Sequence, residues 1–177
     1  MKGGLLAWVL FAGAAYGADA VPSIRIGALK LALVSAPADS PGQLREYLPR
    51  SEDADHWTRR ATVQVFKDQS DPIAYLKQAA ADVGKTGRFA HYQVLTDPST
   101  KEVMLDFMTF PPNTDKVQYA EWSLLRARYV AGRGLVVCRY SMRCYEVGAP
   151  TAVKVKAERI RMLAPFKAAS FEEEAGP

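Results

Sequence analysis

The stretch Trp57–Phe66, WTRRATVQVF, sets Ala61, Val63 and Val65 on one side of an extended chain and Thr62, Gln64 and Phe66 on the other. A period of two belongs to a strand half-buried in a sheet, because successive side chains point to opposite faces. Similar segments recur. Residues 21–50 carry Ile24, Ile26, Leu29, Leu31 and Leu33 among Pro and Gly, and Gln43–Leu48 is a short strand stopped by Pro49. His91–Thr96 and Lys101–Phe110 flank a turn at Asp97-Pro98-Ser99-Thr100, and Pro111-Pro112-Asn113 breaks the second of them. Gln118–Val130 and Leu135–Glu146 flank the four-residue connection Ala131-Gly132-Arg133-Gly134, whose glycines suit a hairpin.

Two helices interrupt this pattern. Ser70 or Asp71 can accept from the free N–H groups of a first turn, and Pro72 fits the first helical position. Ile73, Leu76, Ala80 and Val83 follow at helical spacing, and Gly84 suits the end. Pro150–Phe166 forms a second helix with Val153, Ala157, Ile160 and Leu163 as its apolar stripe. Strand runs without regular βαβ alternation predict an α+β fold. The expected form is an antiparallel meander covered on one face by two amphipathic helices, the other face partly solvated. A chain of 177 residues suits one domain, since single cores stop growing at roughly 250–300 residues. That domain is expected at 21–167.

The first twenty residues read as an address. Lys2 precedes the short apolar run Leu5–Ala12, and Ala18-Asp19-Ala20 supplies small side chains for cleavage. The run is shorter than the about 20 residues that span a bilayer. A signal peptide over 1–20, cleaved near Ala20, predicts an exported protein, periplasmic or secreted, with no transmembrane span in the mature chain. Export makes nucleic acid and cytosolic nucleotides unexpected partners. Residues 168–177, with Glu172-Glu173-Glu174, read as an acidic flexible tail, and Ser51–His56 as an exposed acidic loop.

Local motifs offer little chemistry. Gly84-Lys85-Thr86 resembles the end of a phosphate loop, but Ala79 stands where the first glycine belongs and a helix precedes it. His56 and His91 are isolated, and Glu52, Asp53 and Asp55 lack the glycine and distal Glu of a calcium loop. No G-x-S-x-G occurs. No catalytic residue, metal ligand or cofactor is assigned. For Cys138 and Cys144, a straight strand separates the Cα atoms by ~20 Å, beyond the ~7 Å a disulfide tolerates. Two free, buried thiols on one strand face are therefore expected in preference to a Cys138–Cys144 bridge.

Charge is the more informative feature. The net +4 is not spread evenly: residues 119–161 hold nine basic and three acidic residues, while 21–118 are balanced. With residues 131–134 as the loop, Val130 opposes Leu135 and Arg126 opposes Arg139. Trp122, Arg126, Arg128, Arg139 and Arg143 then share one face, opposite a core face of Leu125, Ala127, Tyr129, Val136, Cys138, Tyr140, Met142 and Cys144. Two opposed arginines repel and require an anion or nearby carboxylates. Glu102 and Asp106 could supply these internally to Arg126 or Arg139; otherwise the five residues form a surface for an anionic ligand or acidic partner.

The strings Arg45-Glu46-Tyr47-Leu48-Pro49, His56–Phe66, the Asp71-Pro72 helix start and Glu121–Arg126 together resemble small secreted bacterial proteins of uncharacterised function. The order of elements over residues 43–165 resembles the Mog1/PsbP-like α+β sandwich. The resemblance implies a fold and an exported location and carries over no catalytic residues.

The expected function is a non-enzymatic binding or accessory protein of the cell envelope that contacts an acidic partner or anionic ligand. The alternatives are a small periplasmic enzyme with its site in a sheet–helix groove and an immunity or inhibitor protein that caps a secreted toxin.

Overall fold

The computed structural model describes residues 21–37, 43–86, 90–97, 102–110 and 119–171. Residues 1–20, expected to be a signal peptide, together with Pro98–Thr100 of the expected turn, the expected break at 111–113 and Glu172–Glu174 of the expected acidic tail, lie outside the described residues. Eight strands form one sheet: β1 (Ser23–Ile26), β2 (Leu29–Ser35), β3 (Arg45–Leu48), β4 (Arg59–Phe66), β5 (His91–Thr96), β6 (Val103–Thr109), β7 (Ala120–Val130) and β8 (Gly134–Cys144). Helix α1 spans Pro72–Lys85, between β4 and β5, and α2 spans Ala149–Ala168, after β8. The strand order is β1-β2-β3-β4-β8-β7-β6-β5, with every neighbouring pair antiparallel. The architecture is therefore α+β, an antiparallel sheet with two helices, as the alternation predicts. After β4 the chain passes through α1 to the far edge, then returns strand by strand until β8 pairs with β4.

The helices lie on opposite faces, a departure from the single covered face expected. Leu76, Ala80 and Val83 of α1 pack on Leu105, Phe107, Leu125, Ala127, Leu135 and Val137. Met162 and Phe166 of α2 pack on the other side, against a cluster that includes Ile24, Ile26, Tyr47, Val63, Trp122, Leu124, Cys138 and Tyr140. The central strands β7 and β8 carry large apolar side chains at both odd and even positions, so each face needs a cover. Among the described residues no helix is long and apolar enough to cross a membrane.

Asp71 caps α1, its carboxylate accepting from the amides of Ile73 at 2.9 Å and Ala74 at 3.0 Å. Gly84 does not end this helix. Thr86 does, donating both its amide (3.0 Å) and its hydroxyl (2.7 Å) to the Val83 carbonyl. The stripe expected on α2 is also corrected. Thr151, Glu158, Met162 and Phe166 are buried, whereas Val153 and Ile160 are 70% and 72% exposed. Burial of two polar residues is possible because both are satisfied: the Thr151 hydroxyl bridges Gly148 N and Glu146 O, and Glu158 accepts from three side chains described below. The helix is thus rotated to place Met162 and Phe166 in the core. The fold continues past residue 167, since Phe171 is buried 5.6 Å from Phe166, ring to ring.

The β7–β8 register differs by one residue from the expectation. Gly134 belongs to β8 and pairs with Val130, so the loop has three residues, closed by Arg133 N donating to Val130 O at 3.0 Å. Gly132 (φ 79°) and Gly134 (φ 98°) adopt the left-handed conformations this tight connection requires. A one-residue slip reverses the face of one strand relative to the other. Arg126 consequently opposes Cys138, and Leu125 opposes Arg139. Cys138 and Cys144 are free and buried on the α2 face of β8.

Candidate functional site

The corrected register divides the five candidate residues between the two faces. Trp122, Arg126 and Arg128 point to the α2 side, whereas Arg139 and Arg143 point to the α1 side. Trp122 is buried, its indole N–H donating to Asp106 Oδ1 at 2.7 Å. Asp106 also accepts from Arg159 of α2. Arg126 is 3% exposed. Its guanidinium donates to the carbonyls of Lys167 (2.5 Å) and Ala169 (2.7 Å) and lies over the rings of Phe166 and Phe171. It therefore closes the C-terminal end of α2, where carbonyls lack helical partners. Glu102 stands 3.8 Å from Arg126 and 2.8 Å from Arg128, which is 49% exposed. Asp106 pairs with neither Arg126 nor Arg139. On this side Arg126 and Asp106 hold α2 to the sheet, while Arg128 pairs with Glu102 just before β6.

The α1 side holds a different arrangement. Three guanidiniums, those of Arg60, Arg139 and Arg143, converge on the carboxylate of Glu121. Arg139 Nη2 is 2.5 Å from it, Arg143 Nη2 3.2 Å and Arg60 Nη2 3.8 Å. Arg60 also donates to Glu46 at 3.2 Å. Arg139 donates to Ser123 Oγ (3.1 and 3.0 Å), which in turn lies 2.9 Å from Ser141 Oγ on the paired strand. Trp57 is stacked between Arg60 (4.3 Å) and Arg143 (3.9 Å), and Arg143 between Trp57 and Tyr119 (3.9 Å). These aromatic faces fix the guanidiniums by cation–π attraction. Three positive charges thus meet two carboxylates.

Arg139 opens into a groove of about 560 Å³ between α1 and the sheet. The floor is formed by Thr62, Gln64, Val137, Leu125 and Phe107, and the α1 wall by Tyr75, Ala79 and Val83. About a third of the Arg139 side chain (31%) stays exposed, against 13% for Arg143. Burial, with Arg60 and Arg143 nearby, pushes the Arg139 guanidinium below the ordinary arginine value despite Glu121. The opposite face has a cavity of similar size, about 590 Å³, lined by Arg59, Lys154 and Arg161. There Glu158 holds the cations well: its partner arginines, Arg59 and Arg161, are shifted upward. The two faces therefore differ in how well their arginines are paired: Glu158 raises Arg59 and Arg161, whereas Arg139 in the α1 groove is lowered by burial and by its arginine neighbours.

Several of these residues escaped the sequence reading. Adjacent Arg59 and Arg60 point to opposite faces of β4, one to Glu158 and one to Glu121; the alternation of WTRRATVQVF carries that signal. Within the acidic loop, Ser51 and Asp53–His56 are exposed as read, but Glu52 is half-buried: its carboxylate accepts from Thr58 N and Oγ1, both at 2.6 Å, and from Arg59 N at 3.2 Å. It fixes the chain where Trp57 enters the stack. His56 stacks on Tyr145 at 4.3 Å, and His91 is exposed on β5. Among the described residues no group of three or more His, Cys, Asp or Glu could hold a metal ion.

A protein-family model matches residues 31–171, from β2 through Phe171. The chain belongs to that family. The family has no assigned activity, and its extent contains all strands but β1 and the start of β2, both helices, the groove and the Glu121 cluster. No curated protein and no solved structure matches the chain.

Proposed function

We propose that this protein is an exported binding or accessory protein of the cell envelope that takes an anionic group in the groove between α1 and the sheet. The observation that carries this reading is the crowding of Arg60, Arg139 and Arg143 around Glu121 at the end of a largely apolar groove. A carboxylate or phosphate there relieves the repulsion among the guanidiniums and meets forked donors. Tyr75, Phe107, Leu125 and Val137 then accommodate an apolar body attached to that anion. Arg139 retains a binding role and Arg60 joins it at the groove, while Arg143 acts behind them, stacked between Trp57 and Tyr119; Trp122, Arg126 and Arg128 lose theirs, because α2 and Glu102 occupy them. Export rests on the charge, apolar run and small residues of 1–20, and the Mog1/PsbP-like resemblance on the overall order of elements. The N-terminus of the protein recovered from cells, Val21 or Met1, decides the export half.

The enzyme alternative draws on the same groove, which lies where a sheet–helix site was expected. Its lining offers arginine, carboxylate, tyrosine and threonine side chains among the described residues and neither His nor Cys, a set better suited to holding an anion than to transferring protons from it. The test is isothermal titration with decanoate and with decanol. Decanoate should bind and decanol should not, and Arg139→Gln should weaken decanoate about tenfold or more, the scale of a charge-assisted hydrogen bond. Equal binding of the alcohol, or an unaffected Arg139→Gln variant, overturns the reading.

A further inference from the structure

Part of the apolar stripe read from the sequence of α2 forms an exposed seam: Val153, Ala157 and Ile160 belong to it, whereas Leu163 packs against the α2-side core and Ala164 stands in its place. Val153, Ala157, Ile160 and Ala164 follow one another at spacings of four, three and four, and all four are exposed. Val153 and Ile160 are the most exposed large hydrophobic residues described, at 70% and 72%. They stand opposite the buried side of α2, which packs through Met162 and Phe166. The spacing is that of a/d positions over two heptads. At 100° per residue the stripe is roughly 60° wide, a coiled-coil seam and narrower than the apolar face of a helix lying in a bilayer. It contains no Trp, Phe or Leu to enter lipid, while Ala157 and Ala164 leave room for another helix to approach.

The flanks choose the partner. Lys154 and Arg161 occupy the positions C-terminal to Val153 and Ile160, Lys156 precedes Ala157 and Leu163 precedes Ala164, so three of the four e and g positions bordering this seam are basic. Lys154 pairs at 3.4 Å with Glu146, itself 82% exposed, and Arg161 keeps 47% of its side chain open while bound to Glu158. A second copy of α2 would bring like charges together. We propose that α2 docks an amphipathic helix of another protein whose apolar seam is bordered by Glu and Asp. This surface is separate from the anion groove, on the other face of the sheet, so either can fail without the other.

The probe is a designed four-heptad peptide with Leu at a and d and Glu at e and g, compared with the same peptide carrying Lys. The protein should bind the Glu peptide and not the Lys peptide. The double variant Val153→Ser/Ile160→Ser should lose about tenfold or more in affinity with an unchanged melting temperature, since both side chains are exposed. Lys154→Glu with Lys156→Glu should transfer preference to the Lys peptide. Failure to bind the Glu peptide, equal binding of both, or an unaffected serine variant overturns the proposal. So does concentration-dependent dimerisation in sedimentation, or cosedimentation with phosphatidylglycerol vesicles, if the serine variant abolishes it.

Discussion

Glu158 and Arg126 make the same point at the scale of one residue: a charge buried under α2 is there to hold the helix. Glu158 accepts from Arg161 at 2.5 and 3.0 Å, from Arg59 at 3.1 Å and from the Tyr140 hydroxyl. Burial alone would raise its carboxyl, but the hydrogen bonds from Arg161, Tyr140 and Arg59 prevail and hold it at about 2, against an ordinary value of 4.5. Because the folded value is depressed, the stabilisation is complete above pH 4.5 and is lost as pH falls towards 2. Glu158→Gln should therefore cost about 1–3 kcal/mol at pH 7, and urea denaturation should find the gap closing between pH 4.5 and 2. A gap independent of pH would mean the carboxylate's charge is not what matters. The sequence showed Glu158 as one acid in a basic segment. Its partners lie on β4, on β8 and one turn along α2, and only their convergence makes it a structural centre.

The β7–β8 hairpin shows what an element's own sequence leaves open. Both strands were legible from alternation, and their limits fall within two residues of those read. The pairing between them was not, because a loop with glycines at 132 and 134 admits either a three- or a four-residue connection. Contact with a third strand decides. A Cβ at Gly134 would run into the Phe66 carbonyl oxygen and come within 2.9 Å of Lys67 Cα, whereas one at Gly132 meets nothing within 4 Å. Gly132→Ala should cost about 1 kcal/mol for its left-handed backbone, and Gly134→Ala more than about 2 kcal/mol, because backbone cannot move aside as a flexible side chain can. Equal losses in thermal denaturation would contradict this account. The same limit applied to α2: spacing and hydropathy selected the stripe of Val153, Ala157, Ile160 and Leu163, of which Val153 and Ile160 face solvent. The polar Thr151 and Glu158 on the buried side are acceptable only once their partners from other elements are in place.

For the whole molecule, one sheet separates two cores, and both are built on the same central strands. Ile26 belongs to the α2-side core and Val83 to the α1-side core, with no shared neighbours. Ile26→Val should cost about 0.5–1.5 kcal/mol, and its loss should add to that of Val83→Ala within about 0.5 kcal/mol. Far-UV circular dichroism and tryptophan fluorescence should still follow one transition, because neither core persists without the sheet; two separated transitions would show the faces to be independent. The sequence by itself determined the strands, the helices, their order and the α+β class, since periodicity and turn residues act over a few positions. It also located the excess charge in residues 119–161. Only the tertiary structure decided which face each arginine occupies, that the helices lie on opposite sides, and that Arg126 anchors α2 while Arg139 opens onto a groove. Those outcomes depend on register and on partners far apart in the chain, and a slip of one residue, invisible in local pattern, exchanges buried faces for open ones.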